Sequence, residues 1–218
     1  MRLQLLSACL LALGIASAQK PTTKNLGLVG DRFKPLTYEE MTPAQKTMVD
    51  HLLAGERAGL GGPFNVLLRS PEAGDLGQQF GAAMRFHSAL PKNVLETVII
   101  ITARFWSAQF EWSAHKRAAL QAGVDPAIVD AIANGKRPAS MAPDMQAAYN
   151  FITELLKTRQ VSDATFQAAK EKFGEKGVVD IIGLSGWYGI VSMALNVDRY
   201  PLANGAQPEL KPLANPIP

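Results

Sequence analysis

The sequence predicts an all-α fold, a compact helical bundle in a single domain, and three observations predict it. Helix-start and helix-stop residues punctuate nearly every segment between residues 41 and 200. The one β-branched cluster, Val98-Ile99-Ile100-Ile101-Thr102, has no flanking turns and runs on into Ala103-Arg104-Phe105-Trp106, which reads as a buried central helix rather than a strand. A second stretch, Val178 to Leu195, is also apolar around most of a helical circumference. Two such helices need partners on every side, in a bundle or at a subunit interface.

The chain opens on an expected export signal over residues 1–18. Arg2 supplies a positive charge, and Leu3 to Ile15 is almost wholly apolar yet shorter than the ~20 residues a bilayer requires. Ala16-Ser17-Ala18 offers the small-x-small pattern of signal cleavage, with Gln19 as the new N-terminus. Leu6-Ser7-Ala8-Cys9 looks like a lipoprotein box, but only eight residues precede Cys9 and the apolar run continues past it, so no lipid is expected there. The expected destination is the periplasm or the cell exterior, without stable membrane insertion after processing.

Residues 19–40 are polar with scattered Gly and Pro and read as an extended arm. The helical domain spans 41–200. Thr42-Pro43, Ser70-Pro71 and Asp125-Pro126 each place an N-cap residue before a proline suited to the first turn. Gly123, Gly135 and Gly174 fall where left-handed C-terminal residues are wanted. Helices are expected at 43–57, 71–88, 91–107, 109–122, 126–134, 142–158, 163–173 and 177–196. The tail, 201–218, carries Pro201, Pro208, Pro212, Pro216 and Pro218 and reads as extended chain on the surface.

Charge and cysteine usage exclude several functions. The formal net charge of +3 falls to +2 once Arg2 is removed, and no Lys/Arg block exists to hold nucleic acid. Cys9, the single cysteine, lies within the expected signal, so the mature chain has neither a disulfide nor a thiolate nucleophile.

Three histidines are available near neutral pH. His51 lies in a polar amphipathic stretch and reads as a surface residue. His87 closes a helix, where a protonated imidazole suits the dipole. His115 differs, because Glu111 stands four residues earlier on the same helical face. A carboxylate on one ring nitrogen fixes the tautomer and leaves the other nitrogen as acid or base. The spacing alone equally suits an ordinary surface pair, and two ligands do not make a zinc site, so neither metal nor cofactor is expected.

The surrounding residues bear on that choice. Gly62-Pro63-Phe64-Asn65-Val66-Leu67-Leu68-Arg69-Ser70-Pro71-Glu72, Leu90-Pro91, Glu96 with its Ile-rich helix, Glu111-Trp112-Ser113-Ala114-His115 and Ala122-Gly123-Val124 follow one another. This order resembles the carboxymuconolactone decarboxylase family, whose fold is shared with alkylhydroperoxidase D. The resemblance is strong over about residues 60–130 and weaker at Gly186-Trp187-Tyr188 and Asn196. It implies a bundle of the alkylhydroperoxidase D type that forms a homo-oligomer, a trimer or hexamer. The peroxidase branch carries Cys-x-x-Cys-x-x-x-His with an upstream glutamate; these positions fall on Ala108, Glu111, His115 and Glu96. Neither a methyl nor a carboxylate can attack a peroxide, so thiol peroxidase chemistry is not expected. The decarboxylase branch has Glu-x-x-x-His there, which Glu111 and His115 match.

The resemblance therefore implies acid–base chemistry on a small organic acid or lactone, most simply a decarboxylation. His115 would protonate or stabilise the enolate, Glu111 would orient the imidazole, and Glu96 would relay a proton or position water. Arg104, eight residues after Glu96, is the first candidate to bind an anionic substrate, and Arg85 the second. The competing expectation is a catalytically silent oligomeric scaffold or small-molecule binder. Convergence of Glu96, Glu111 and His115 in one concave site discriminates between the two.

Overall fold

The computed structural model describes residues 21–57 and 59–216, and among them are eight α-helices and no strand. The expected signal over residues 1–18, its cleavage before Gln19 and Cys9 lie outside the described residues.

Proline opens four of these helices: α1 (Pro43–Ala54), α3 (Pro71–Phe86), α6 (Pro126–Ala133) and α7 (Pro143–Thr158). Thr42 caps α1 reciprocally with Gln45, and the Asp125 side chain accepts from the Ala127 N–H at 2.8 Å. Ser70 departs from expectation. Its side chain makes no capping bond, and only its carbonyl engages the helix, accepting from Gly74 N at 2.7 Å. Helix α1 stops at Ala54 rather than 57, because Gly55 takes extended backbone. A single turn, α2 (Phe64–Leu67), was not expected; four residues are too few to show a helical period. The expected helices at 163–173 and 177–196 are one element, α8 (Asp163–Asp198), broken in backbone at Gly174, whose φ of 67° is where glycine is at home.

The Ile-rich helix α4 (Lys92–Phe105) forms the centre of the bundle, with every residue from Val94 to Arg104 buried. Around it pack α5 (Gln109–Gln121), α6, α7 and α8. Burial on all sides explains why its sequence is apolar on all sides. Helix α8 is only half enclosed. Ile181, Leu184, Trp187, Tyr188, Val191 and Leu195 face the core, whereas Val179, Ile182, Ile190, Met193 and Val197 are exposed. By length and composition α8 would also be apolar enough to cross a membrane, and 61% of its most apolar window is buried inside the fold.

Two extended segments brace the bundle. In the first, the N–H groups of Asp31 and Phe33 donate to buried Asp198 Oδ1, at 3.2 and 2.8 Å, and Asn65 Nδ2 donates to Phe33 O at 2.7 Å. This ties the residues before α1 to the end of α8 and to α2. A second core, with Leu26, Met48, Leu52, Leu60, Phe64 and Leu68, fills the space beneath. In the other segment, Leu210 is buried and exchanges two hydrogen bonds with the Gln109 side chain, and Lys116 pairs with Glu209 at 2.6 Å.

Candidate functional site

A cavity of about 190 Å³ opens where α3, α5, α8 and the chain from Arg57 to Phe64 meet. Its polar wall is Arg57, Arg85, Glu111, His115 and Tyr188; Phe64, Phe110, Trp187 and Val191 supply apolar wall. Local packing sets these positions. Trp187 lies so close over Gly77 and Gly81 of α3 that a side chain at Gly81 would collide with the indole. The Gly62 N–H donates to the Tyr200 hydroxyl at 3.0 Å, which fixes the glycine loop at the rim.

His115 projects from α5 into this wall between two carboxylates. Its Nδ1 lies 2.6 Å from Glu96 Oε2, and its Nε2 lies 3.0 Å from Glu111 Oε1. The Nδ1 contact is a hydrogen bond and the Nε2 contact an ion-pair distance, and two carboxylates flanking one ring favour its charged form, the imidazolium. Burial alone pushes His115 down, but attraction and hydrogen bonding from Glu111 and Glu96 outweigh it and raise its pKa above the ordinary value. The Tyr188 ring packs edge-on against the imidazole, with centroids 4.9 Å apart.

Glu96 is fully buried in α4, behind the histidine and away from the cavity surface. Arg85 reaches it with Nη1 at 3.4 Å and donates from the same nitrogen to the Tyr188 hydroxyl at 3.1 Å. Burial pushes the Tyr188 phenol above its usual range, and the Arg85 charge pulls only partly against this. The phenol is therefore a neutral donor at physiological pH. The polar cluster reads as one line: Arg85, Glu96, His115 and Glu111, ending at the cavity.

The three expected residues Glu96, Glu111 and His115 thus come together, with one change of role. Glu111 was expected to hold the ring and leave the second nitrogen open. Instead Glu96 holds Nδ1 from inside the core, and Glu111 shares the cavity-side Nε2. Arg104 is a correction. It is wholly buried, donates from Nη2 to Lys211 O at 3.0 Å, and does not line the cavity. Eight residues at ~100° each place it roughly 80° around the helix from Glu96 and ~12 Å along it, so the two do not share a face. Arg85 lines the cavity as expected, but its Nη1 is already engaged by Glu96 and Tyr188.

His51 and His87 lie elsewhere, paired with Asp75 at 2.8 Å and Glu56 at 2.9 Å on the exposed surface. Among the described residues no group of three or more His, Cys, Asp and Glu side chains could hold a metal ion. The geometry gives the reason at this site: the two carboxylates grip opposite edges of the imidazole and do not converge on one point.

Sequence reasoning assigned no role to Arg57 or Tyr188. Tyr188 closes the segment Gly186-Trp187-Tyr188, and its place on the buried side of α8 was the available signal. Arg57 was expected as the last residue of the helix at 43–57; α1 stops at Ala54 instead, and Arg57 lies in irregular chain beyond Gly55. No protein-family model matches the chain, and no curated protein sequence matches it.

Proposed function

We propose that the chain catalyses cofactor-independent acid–base chemistry on a small organic acid or lactone, most simply a decarboxylation. The observation that carries this reading is the Glu96–His115–Glu111 line, which brings an imidazolium and a carboxylate to the wall of a small cavity rimmed by arginines. Buried charges at such cost to folding are concentrated at functional sites. The bundle type implied by the resemblance, alkylhydroperoxidase D-like, is part of the same proposal.

In a decarboxylation the carbon–carboxylate bond breaks, CO₂ leaves, and the electron pair stays on carbon as an enolate delocalised onto a neighbouring carbonyl. The proton that His115 carries on Nε2, beside Glu111, is then delivered to the carbon, or held against the enolate oxygen. Glu96 keeps the ring oriented and compensates its charge throughout, as a positioning residue. Tyr188, which accepts from Arg85, has its own hydrogen available for the substrate oxygen. Such acid–base assistance is worth about 10²–10⁴ in rate.

The test is CO₂ release from a panel of β-keto acids and carboxylated lactones by purified protein. At least one compound should be turned over by the wild type and not by His115→Ala. A panel without turnover would favour the second reading, a silent scaffold or small-molecule binder.

One observation favours assembly under either reading. Val179, Ile182, Ile190, Met193 and Val197 line up with Gly186 at steps of three and four, making an exposed apolar stripe along α8, beside Leu76 and Phe80 of α3. We infer that the chain forms a homo-oligomer, a trimer or hexamer, with this stripe inside the interface. Light scattering of the purified protein should give three or six chain masses, and a monomer at micromolar concentration would overturn the inference. Export is likewise proposed from the residue 1–18 pattern, and carries no weight in the mechanism.

A further inference from the structure

Arg57 is the cavity residue that the acid–base line leaves unused. Its Nε and Nη2 are buried and have no hydrogen-bond partner among the described residues. Buried guanidinium nitrogens are nearly always satisfied, so two orphaned donors on one side chain point to a missing acceptor. The guanidinium carbon lies 5.1 Å from the centroid of the Phe64 ring and 5.9 Å from that of Phe86, which orients the fork by stacking rather than by hydrogen bonds. Arg57 and Phe64 both line the cavity.

The charge balance asks for the same thing. Glu96 and Glu111 are offset by Arg85 and the His115 imidazolium, and Arg57 remains as an uncompensated cation. Burial and the like charge of Arg85 weaken its hold on the proton, and Tyr188 and Glu111 only partly restore it. An arginine stays charged at neutral pH regardless.

We propose that Arg57 anchors a carboxylate of the ligand, and specifically the carboxylate that does not react. This rests on reading the cavity as the substrate site. A guanidinium fork matches a carboxylate in two parallel hydrogen bonds, which a lysine cannot reproduce. The anchored group must be one that stays, because an ion pair to the departing carboxylate would stabilise the ground state and slow the loss of CO₂. The substrate class is therefore a small acid with a permanent carboxylate and a separate reacting group. The cavity is smaller than the ~300–1,000 Å³ typical of drug-sized ligands, which limits the class to a few carbons or one ring.

The test is calorimetric titration of the full protein at pH 7 with 2-furoate and, in parallel, with the isosteric neutral 2-furamide. The wild type should bind the acid at least about tenfold more tightly than the amide. Arg57→Ala should lose that preference, and Arg57→Lys should recover only part of it. Arg57→Gln is the second variant, should the alanine chain fail to fold. Wild-type protein that ignores 2-furoate, or an Arg57→Gln protein that binds it as tightly as wild type does, overturns the proposal. The outcomes separate it from the catalytic reading. Arg57-dependent binding without turnover of any panel compound leaves the anion site standing and removes the enzyme. Turnover with unchanged KM in Arg57→Gln does the reverse.

Discussion

Glu111→Gln should lower turnover by about a hundredfold or more, with helix content and native mass unchanged. The amide keeps the shape of the carboxylate, but it cannot take up a proton or compensate an imidazolium 3.0 Å away. His115→Ala should cost at least as much, and the double variant little more, because groups that share one proton act as a unit. The pH profile carries a second signature. With His115 raised above its ordinary ~6.5 by two carboxylates, activity that requires the imidazolium should persist past that pH and fall as pH rises through the raised value. In Glu111→Gln the residual activity should fall at lower pH, since one of the two groups holding the proton is gone. Rates measured on a compound identified in the CO₂ panel decide the matter. Wild-type rates in both single variants would place the chemistry elsewhere.

The residues of this site were legible in the sequence to the extent that local geometry determines them. Glu111 and His115 are one helical turn apart, so their contact follows from spacing alone. Glu96 came only through the resemblance, because its meeting with His115 joins two helices across nineteen positions. The reversal of roles between Glu96 and Glu111 had no sequence signal: which carboxylate lies inside depends on how α4 packs under α5. Arg104 was misplaced by counting eight residues as a repeat of the helical face. Arg57 was missed because it was placed at the end of an expected helix, 43–57, which stops at Ala54 and leaves it in irregular chain. The fold itself was more legible, since proline N-termini, cap residues and glycine stops are local. The exceptions were the early stop of α1 at Ala54, the four-residue α2, too short to show a period, and α8, where Gly174 breaks the backbone without ending the element, so the two expected helices run on as one.

Removing Glu96 should cost stability as well as turnover. Its carboxylate is fully buried between Arg85 and His115. Replacing a whole buried ion network by apolar groups is often neutral, because desolvation and attraction nearly cancel. Removing one member is different, since it strands the opposite charge in the core. Glu96→Ala should therefore lower unfolding free energy by about 3–5 kcal/mol, read from the urea midpoint. Glu96→Gln keeps the volume and can still accept one hydrogen bond, so it should lose less and isolates the charge. The sign of its pH dependence follows from His115, whose pKa is higher folded than unfolded. The stabilisation from the protonated ring is fully present below the unfolded value of ~6.5 and is lost as pH rises through the folded one. The gap between wild type and Glu96→Gln should be widest at pH 6 and narrow toward pH 9. It should not close, because Arg85, whose Nη1 lies 3.4 Å from Glu96, stays charged throughout that window. A gap of constant size between pH 6 and 9 would show that Glu96 does not hold the His115 proton. A Glu96→Ala protein as stable as wild type would remove the buried network from the account altogether.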